Sequence, residues 1–264
     1  MSGTIRIGIG GWTYKPWRGS FYPGDLPQKR ELEYAAGKFG AIEISGTYYR
    51  LQKPASFAKW RDAAPEGFQY TVKASRYCTN RKDLTEGGEG IGNFFGQGIE
   101  ELGDRLGPVL WQFMGHKRFD RDEFAGFLDL LPETCGGIRL RHALEPRHES
   151  FRCEAFVDLA RERGAGIVVA DHADYPQIAD LTADFVYARL QQAEKDIGTG
   201  YREDALDDWA AACRSWAAGD APRGLDYACP REPAAGGRDV YCFMINGAKI
   251  RAPAAAEALQ ARID

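Results

Sequence analysis

Residues 137–151 read GIRLRHALEPRHESF, and the first half of the stretch has the spacing of a β-strand. Successive side chains of a strand face opposite sides. Ile138, Leu140 and Leu144 then share one face, with His142 as a polar exception, and Arg139, Arg141, Ala143 and Glu145 share the other. If the leucines pack beneath helices, Glu145 points into whatever the strands enclose. Pro146 has no N–H to give to a ladder and ends the strand. Arg147 and His148 therefore stand just past the strand end, beside Glu145. An acid, a guanidinium and an imidazole at the end of a buried strand form the most concentrated chemistry in the chain.

The same alternation recurs on both sides of this stretch. Ile5, Ile7 and Ile9 alternate with Arg6, Gly8 and Gly10; Ile42 and Ile44 flank Glu43; Phe68, Tyr70 and Val72 alternate with Gln69, Thr71 and Lys73; Gln112 opposes Trp111 and Phe113. Further on, GIVVAD ends at Asp171, DFVYARL sets Phe185, Tyr187 and Arg189 on one face, and residues 239–246 make the last strand. Between the strands lie helical stretches at 28–39, 55–63, 91–106, 122–131, 151–163, 203–217 and 253–263, with a short one near 175–179. The signals are Gly40 after the first stretch, Gly164 after the fifth, and Pro253 in the first turn of the last. About eight strand–helix repeats over some 250 residues are the pattern of an α/β TIM-type (β/α)8 barrel. No break in composition divides residues 1–264, so one barrel domain is expected. A doubly wound open sheet is disfavoured because no GxGxxG turn follows the first strand.

With 264 residues and 44% hydrophobic composition, the chain can bury a large core. Its net charge of −4 gives no whole-molecule positive field to attract nucleic acid. The six cysteines, at 78, 135, 153, 213, 229 and 242, show no CxxC pair, as expected of reduced thiols. No apolar run nears the roughly 20 residues that span a bilayer, and no basic and apolar leader opens the chain. The expectation is a cytoplasmic protein without a membrane partner.

In a barrel the face turned from the helices points inward, which places Glu43, Lys73, Gln112, Glu145 and Arg189 inside, near the strand ends where barrel enzymes build their sites. The facing of Asp171 is ambiguous, since it shares parity with Ile167 and Val169. Buried charges need partners, water or ligand. Convergence of two acids, a lysine and arginines fits a binding site as well as an ion network that fills the mouth. Glu43 and Glu145 are the candidate acid and base, with His148 a candidate proton shuttle. Lys73, Arg147 and Arg189 would clamp a small anionic substrate. On this reading Glu145→Gln stops turnover and leaves melting nearly unchanged. Four histidines, at 116, 142, 148 and 172, form no HExxH, so neither metal nor cofactor is expected. No GxSxG elbow or P-loop occurs. Trp12, Tyr14, Trp17, Tyr22, Tyr48 and Tyr49 crowd the first two strand-end loops beside Arg18 and Arg50. Such mixtures can stack bases or sugars, but a hydrophobic lid with ordinary surface arginines is the safer reading.

The segments GIGGWTYKPWRGSFYP, IEISGTYYRL, FQYTVKASRY, LGPVLWQF, EPRHESF, VYARL and VYCFMINGAKIRAPAAAEAL, in this order, resemble the YecE-like family, domain of unknown function family seventy-two. The resemblance covers nearly the whole chain. It implies a TIM-type barrel and no established reaction. The family's recurrent polar positions fall on Trp12, Tyr14, Trp17, Arg18, Glu43, Thr47, Tyr49, Arg50, Lys73, Gln112, Glu145, Arg147, His148, Tyr187, Arg189 and Asn246. Ser45 stands where the family usually has Asn, and Phe151 where it usually has Trp. The favoured function is acid–base chemistry on a small anionic or nucleotide- or sugar-phosphate-like substrate. The second reading is a nucleic-acid-binding module, against which the net charge counts. A third, by analogy of barrel shape, is a divalent-metal isomerase or hydrolase.

Overall fold

Strands with one apolar parity and one mixed parity need a cover on the apolar side, and helices supply it. The computed structural model describes residues 2–229 and 236–263. Its strands in chain order are β1 (Ile5–Gly10), β2 (Ala41–Ile44), β3 (Gln69–Lys73), β4 (Leu106–Gln112), β5 (Thr134–Cys135), β6 (Ile138–Arg139), β7 (His142–Glu145), β8 (Gly166–Asp171), β9 (Phe185–Leu190) and β10 (Asp239–Met244). Eight of them close into a parallel barrel in the order β1-β10-β9-β8-β7-β4-β3-β2, while β5 and β6 pair as a separate antiparallel ribbon. The helices are α1 (Glu31–Ala36), α2 (Pro54–Ala63), α3 (Arg76–Thr79), α4 (Gly88–Phe95), α5 (Arg121–Asp129), α6 (Glu154–Glu162), α7 (Glu203–Ala218) and α8 (Ala252–Gln260). No helix among the described residues is long and apolar enough to cross a membrane.

The outward parity, including Ile42, Ile44, Tyr70, Val72, Trp111, Phe113 and Leu144, lies in the large core under the helices. Each such side chain contributes about 1.5–3 kcal/mol by leaving water. The inward parity forms three storeys. At the N-terminal rim, Arg141 donates to Asp239 Oδ2 (3.0 Å) and Gln69 Oε1 (3.2 Å). Above it Leu110, Ala143, Val168, Phe185, Tyr187, Tyr241 and Phe243 fill the lumen. Room for these rings comes from glycine: a Cβ on Gly8 would meet Ala41 O at 2.2 Å and the Phe243 ring at 2.9 Å. The third storey is polar and holds Glu43, Lys73, Gln112, Glu145 and Arg189.

Several expected boundaries move, each for a local reason. The opening stretch is two pieces: Ile138–Arg139 pairs with Thr134–Cys135, and the barrel strand begins only at His142. Gly136 and Gly137, at φ 56° and 81°, make the turn of that ribbon. The helix expected over 91–106 stops at Phe95; Gly98 at φ 97° reverses the chain, and a 3-10 segment follows over Ile99–Arg105. The helix expected from 151 begins at Glu154, after a 3-10 turn at Glu149–Phe151. The first helical stretch is likewise a 3-10 turn, Gln28–Arg30, followed by α1. The short helix expected near 175–179 is absent. Pro176 has no N–H to give, and the Ala179 N–H goes to Asp226 O (2.8 Å) rather than to its own segment.

Candidate functional site

Glu43, Glu145 and Arg189 come from three separate strands, β2, β7 and β9, yet the inward parity brings them to one point. Arg189, 2% exposed, donates Nε to Glu43 Oε2 (3.1 Å) and Nη2 to Glu43 Oε1 (3.1 Å). Its Nη1 reaches both oxygens of Glu145, at 2.8 and 2.7 Å. One guanidinium thus holds two fully buried carboxylates, using its rigid fork on both sides. The remaining acceptor capacity is also taken. Gln112 Nε2 donates to Glu145 Oε2 (2.7 Å) and Arg147 Nη2 to Glu145 Oε1 (3.1 Å). Tyr187 Oη donates to Glu43 Oε2 (2.8 Å) and Ser45 Oγ to Glu43 Oε1 (2.9 Å). Since the Tyr187 proton goes to Glu43, the Thr71 hydroxyl 2.9 Å away is the donor of that pair.

Burial alone would push Glu145 up, but Arg189, Arg147, the Gln112 amide and Lys73 outweigh it and hold the carboxyl at about 2. Burial also works against the Arg189 charge, and the two carboxylates overcome it, raising its pKa. Burial and the adjacent Glu43 charge raise the Tyr187 phenol well above its ordinary value.

Lys73 stands apart from this saturated core. Its ammonium donates to Gln112 Oε1 (3.0 Å) and lies 4.2 Å from the centre of the Tyr48 ring. Burial, and then the Arg189 charge, bring its pKa down from 10.5 to about 8 against the pull of Glu43 and Glu145. Gln112 therefore reads as a relay: its carbonyl faces the lysine and its amide faces Glu145, which fixes its orientation.

Above the core opens a cavity of about 660 Å³, within the size range of small-molecule sites. Of the residues singled out from sequence, Trp12, Tyr49, Arg50, Lys73, Gln112, Arg147, Arg189 and Asn246 line it. Glu43 and Glu145 lie beneath its floor, and Tyr187 lies lower still. Trp17 is fully buried and donates Nε1 to Lys249 O (3.0 Å). Tyr14 packs edge-on against Trp17 and carries the Lys249 ammonium 5.1 Å from its ring centre. Arg18 is on the outside, paired with Glu31 at 2.8 Å. His148 is also outside the wall: its Nδ1 accepts from the Ser150 N–H (3.0 Å) and caps the following 3-10 turn. Asp171 takes the outward parity and accepts from Gln192 and Tyr201.

Three wall residues went unread in the sequence. Lys249 lies in the loop after the eighth barrel strand, a position that the barrel rule marks, and burial lowers its pKa. Trp60 reaches the cavity from α2 and meets Trp12 at 5.3 Å; nothing in a helical spacing signals that. Ser45, noted only for its departure from the family pattern, is a ligand of Glu43. Tyr175 adds a support outside the wall, holding the Arg147 guanidinium 4.4 Å from its ring centre and accepting its Nη1 at 3.2 Å.

No group of three or more His, Cys, Asp or Glu among the described residues is placed to hold a metal ion. The two inner carboxylates, the natural oxygen ligands, already accept from Arg189. What the arrangement offers chemically is a cationic, aromatic-walled cavity, with Lys73, Arg147 and Lys249 presented over a neutralised acidic floor.

Comparison with known proteins follows the fold. A 78-residue stretch is 30% identical to the UPF0759 protein YunF of Bacillus subtilis, covering 30% of this chain and 27% of that protein. The solved structure of a DUF72 family protein from Thermotoga maritima superposes with a TM-score of 0.70 at 22% identity, over 97% of both chains. A second DUF72 family protein, from Enterococcus faecalis, gives 0.73 at 16% identity, over 98% of this chain and 95% of that one. Residues 6–264 match the family model described as protein of unknown function DUF72. With a barrel shared end to end and a family match over nearly its full length, the chain belongs to the DUF72 family.

Proposed function

We propose that the cavity is an active site for a small anionic substrate and that Lys73 is its proton-transfer group. The observation that carries this reading is the place of Lys73, a largely buried ammonium on the cavity wall between Gln112 Oε1 at 3.0 Å and the Tyr48 ring, surroundings that with the Arg189 charge bring its pKa down to about 8. A general acid or base works best when its pKa lies close to the operating pH, and lysines are brought there by burial and neighbouring cations. Arg147, Lys249 and Arg50 supply anion contacts, and Asn246 a neutral polar one. In this reading Glu43 and Glu145 hold Arg189, Arg147 and, through Gln112, Lys73 in place. A carboxyl at about 2 stays ionised at working pH and donates no proton. The acid–base role expected of the two glutamates therefore passes to the lysine.

The test is calorimetric titration with inorganic phosphate, citrate and nucleoside monophosphates, followed by a turnover screen over phosphate esters and carboxylates. Binding of at least one anion, weakened at least tenfold in Lys73→Met with no loss of melting temperature, supports the proposal. Absence of binding by all of these anions at low salt defeats it.

A further inference from the structure

The formal charge of −4 conceals a strong segregation. Six of the strand-end loops at the C-terminal mouth follow β10, β1, β2, β3, β4 and β7, which are consecutive neighbours in the closed ring. These loops are residues 245–251, 11–30, 45–53, 74–87, 113–120 and 146–153. Together they carry fifteen lysines and arginines against five aspartates and glutamates. The surplus of ten on one arc leaves the rest of the chain strongly negative. The two remaining loops, at 172–184 and 191–202, hold five acids and two bases, so the arc has an acidic end.

Five of these cations, Arg18, Arg30, Lys117, Arg147 and Arg152, pair with acids outside the counted loops, Glu31, Glu33, Glu123, Glu145 and Asp226, and others stay open. Arg50, Arg76 and Arg118 are exposed and have no acidic partner within 4 Å among the described residues. The same arc carries large exposed aromatics. Tyr49 is 66% and Tyr77 60% exposed, which puts a phenol ring in water on the loops after β2 and β3. Tyr49 also joins the cavity. It lies edge-on to Tyr48 at 5.1 Å, and Tyr48 carries the Lys73 ammonium.

We infer that the substrate is a single-stranded nucleic acid, bound along the basic arc with one nucleotide lowered into the cavity. This rests on the reading of the cavity as an anion site and names its substrate class. A small anion needs only the cations on the wall. Open cations at Arg76 and Arg118, outside the cavity lining, continue the line of Arg50 on its wall and match a polymer with a phosphate at every residue. Unpaired bases have free faces, and sequence-tolerant strand binding combines a basic track with exposed rings on which bases stack. Tyr49 and Tyr77 are such rings, and the cavity is of a size to receive a nucleotide turned out of its stack. The acidic loops after β8 and β9 repel phosphate and set where the strand leaves the mouth.

The experiment is fluorescence anisotropy of the full chain with labelled dT12 and rU12, between 25 and 200 mM salt. A 12-base-pair duplex, a nucleoside monophosphate and inorganic phosphate serve as unlabelled competitors. Single strands should bind at least tenfold more tightly than the monophosphate, and affinity should fall steeply with salt, with a log–log slope of about −3 for four or five phosphates. The paired substitution Arg76→Glu with Arg118→Glu should weaken the strand more than tenfold and leave monophosphate binding unchanged. Tyr49→Ala should weaken it at least fivefold at every salt concentration, the mark of stacking rather than charge. The inference is overturned if the strand binds no better than the monophosphate, if the duplex competes equally, or if Tyr49→Ala has no effect. Monophosphate binding without strand preference ends this inference and leaves the anion site standing; binding of neither ends both.

Discussion

Arg189 is the side chain on which the polar storey depends. It is the cation bound by both inner carboxylates, and removing it leaves two buried negative charges facing each other. We expect Arg189→Leu to destabilise by more than about 4 kcal/mol, in the range reserved for an uncompensated buried charge. Chemical denaturation measures it directly. Glu145→Gln should also be costly, by about 3–5 kcal/mol, because it strips one of the two counter-charges from Arg189. That differs from the sequence expectation, in which Glu145→Gln leaves melting nearly unchanged. Facing and strand position are legible in one residue; that its oxygens accept from Arg189, Gln112 and Arg147 is a matter of three other segments. The double variant Arg189→Leu with Glu145→Gln should be less destabilised than the two single effects added together, since neither variant then leaves the other's charge alone.

Among the elements, β1 shows how the lumen is filled. Its inward glycine makes room for the Phe243 ring from β10, and Gly8→Ala sets a methyl group 2.2 Å from the Ala41 carbonyl oxygen. The strand pair must part, and a loss of about 1–3 kcal/mol or more is expected in denaturant unfolding. The alternation that revealed the strands was strong wherever one parity was aliphatic, as with Ile42 and Ile44 or Tyr70 and Val72. It failed where backbone conformation rather than burial decides. Nothing apolar marks the hairpin turn at Gly136–Gly137, and the glycines inside 91–106 looked tolerable until Gly98 took φ 97°. The site divided in the same way. Inward charges on strands were readable by parity. Wall residues from loops and helices, Lys249 and Trp60, depend on how separate elements pack, which spacing along one element does not carry.

For the whole molecule, the two depressed groups make stability rise with pH in two separate windows. Glu145 is held at about 2, below its ordinary 4.5, so it stabilises the native state above pH 4.5 and that contribution is lost as pH falls toward 2. The amount is on the order of 3 kcal/mol. Acid unfolding of Glu145→Gln should lack this slope. Lys73 is depressed, so between pH 8 and 10.5 the unfolded chain binds more protons than the native one and stability rises with pH. Below pH 8 the buried ammonium is a standing expense, and Lys73→Met should be at least as stable as the parent there. The most direct measurement of the proposed chemistry is therefore a side-chain NMR titration with labelled lysine. One resonance should titrate near pH 8, disappear in Lys73→Met and shift when an anion binds. If every lysine titrates near 10.5, the mouth holds no proton-transfer lysine and the proposed mechanism is wrong.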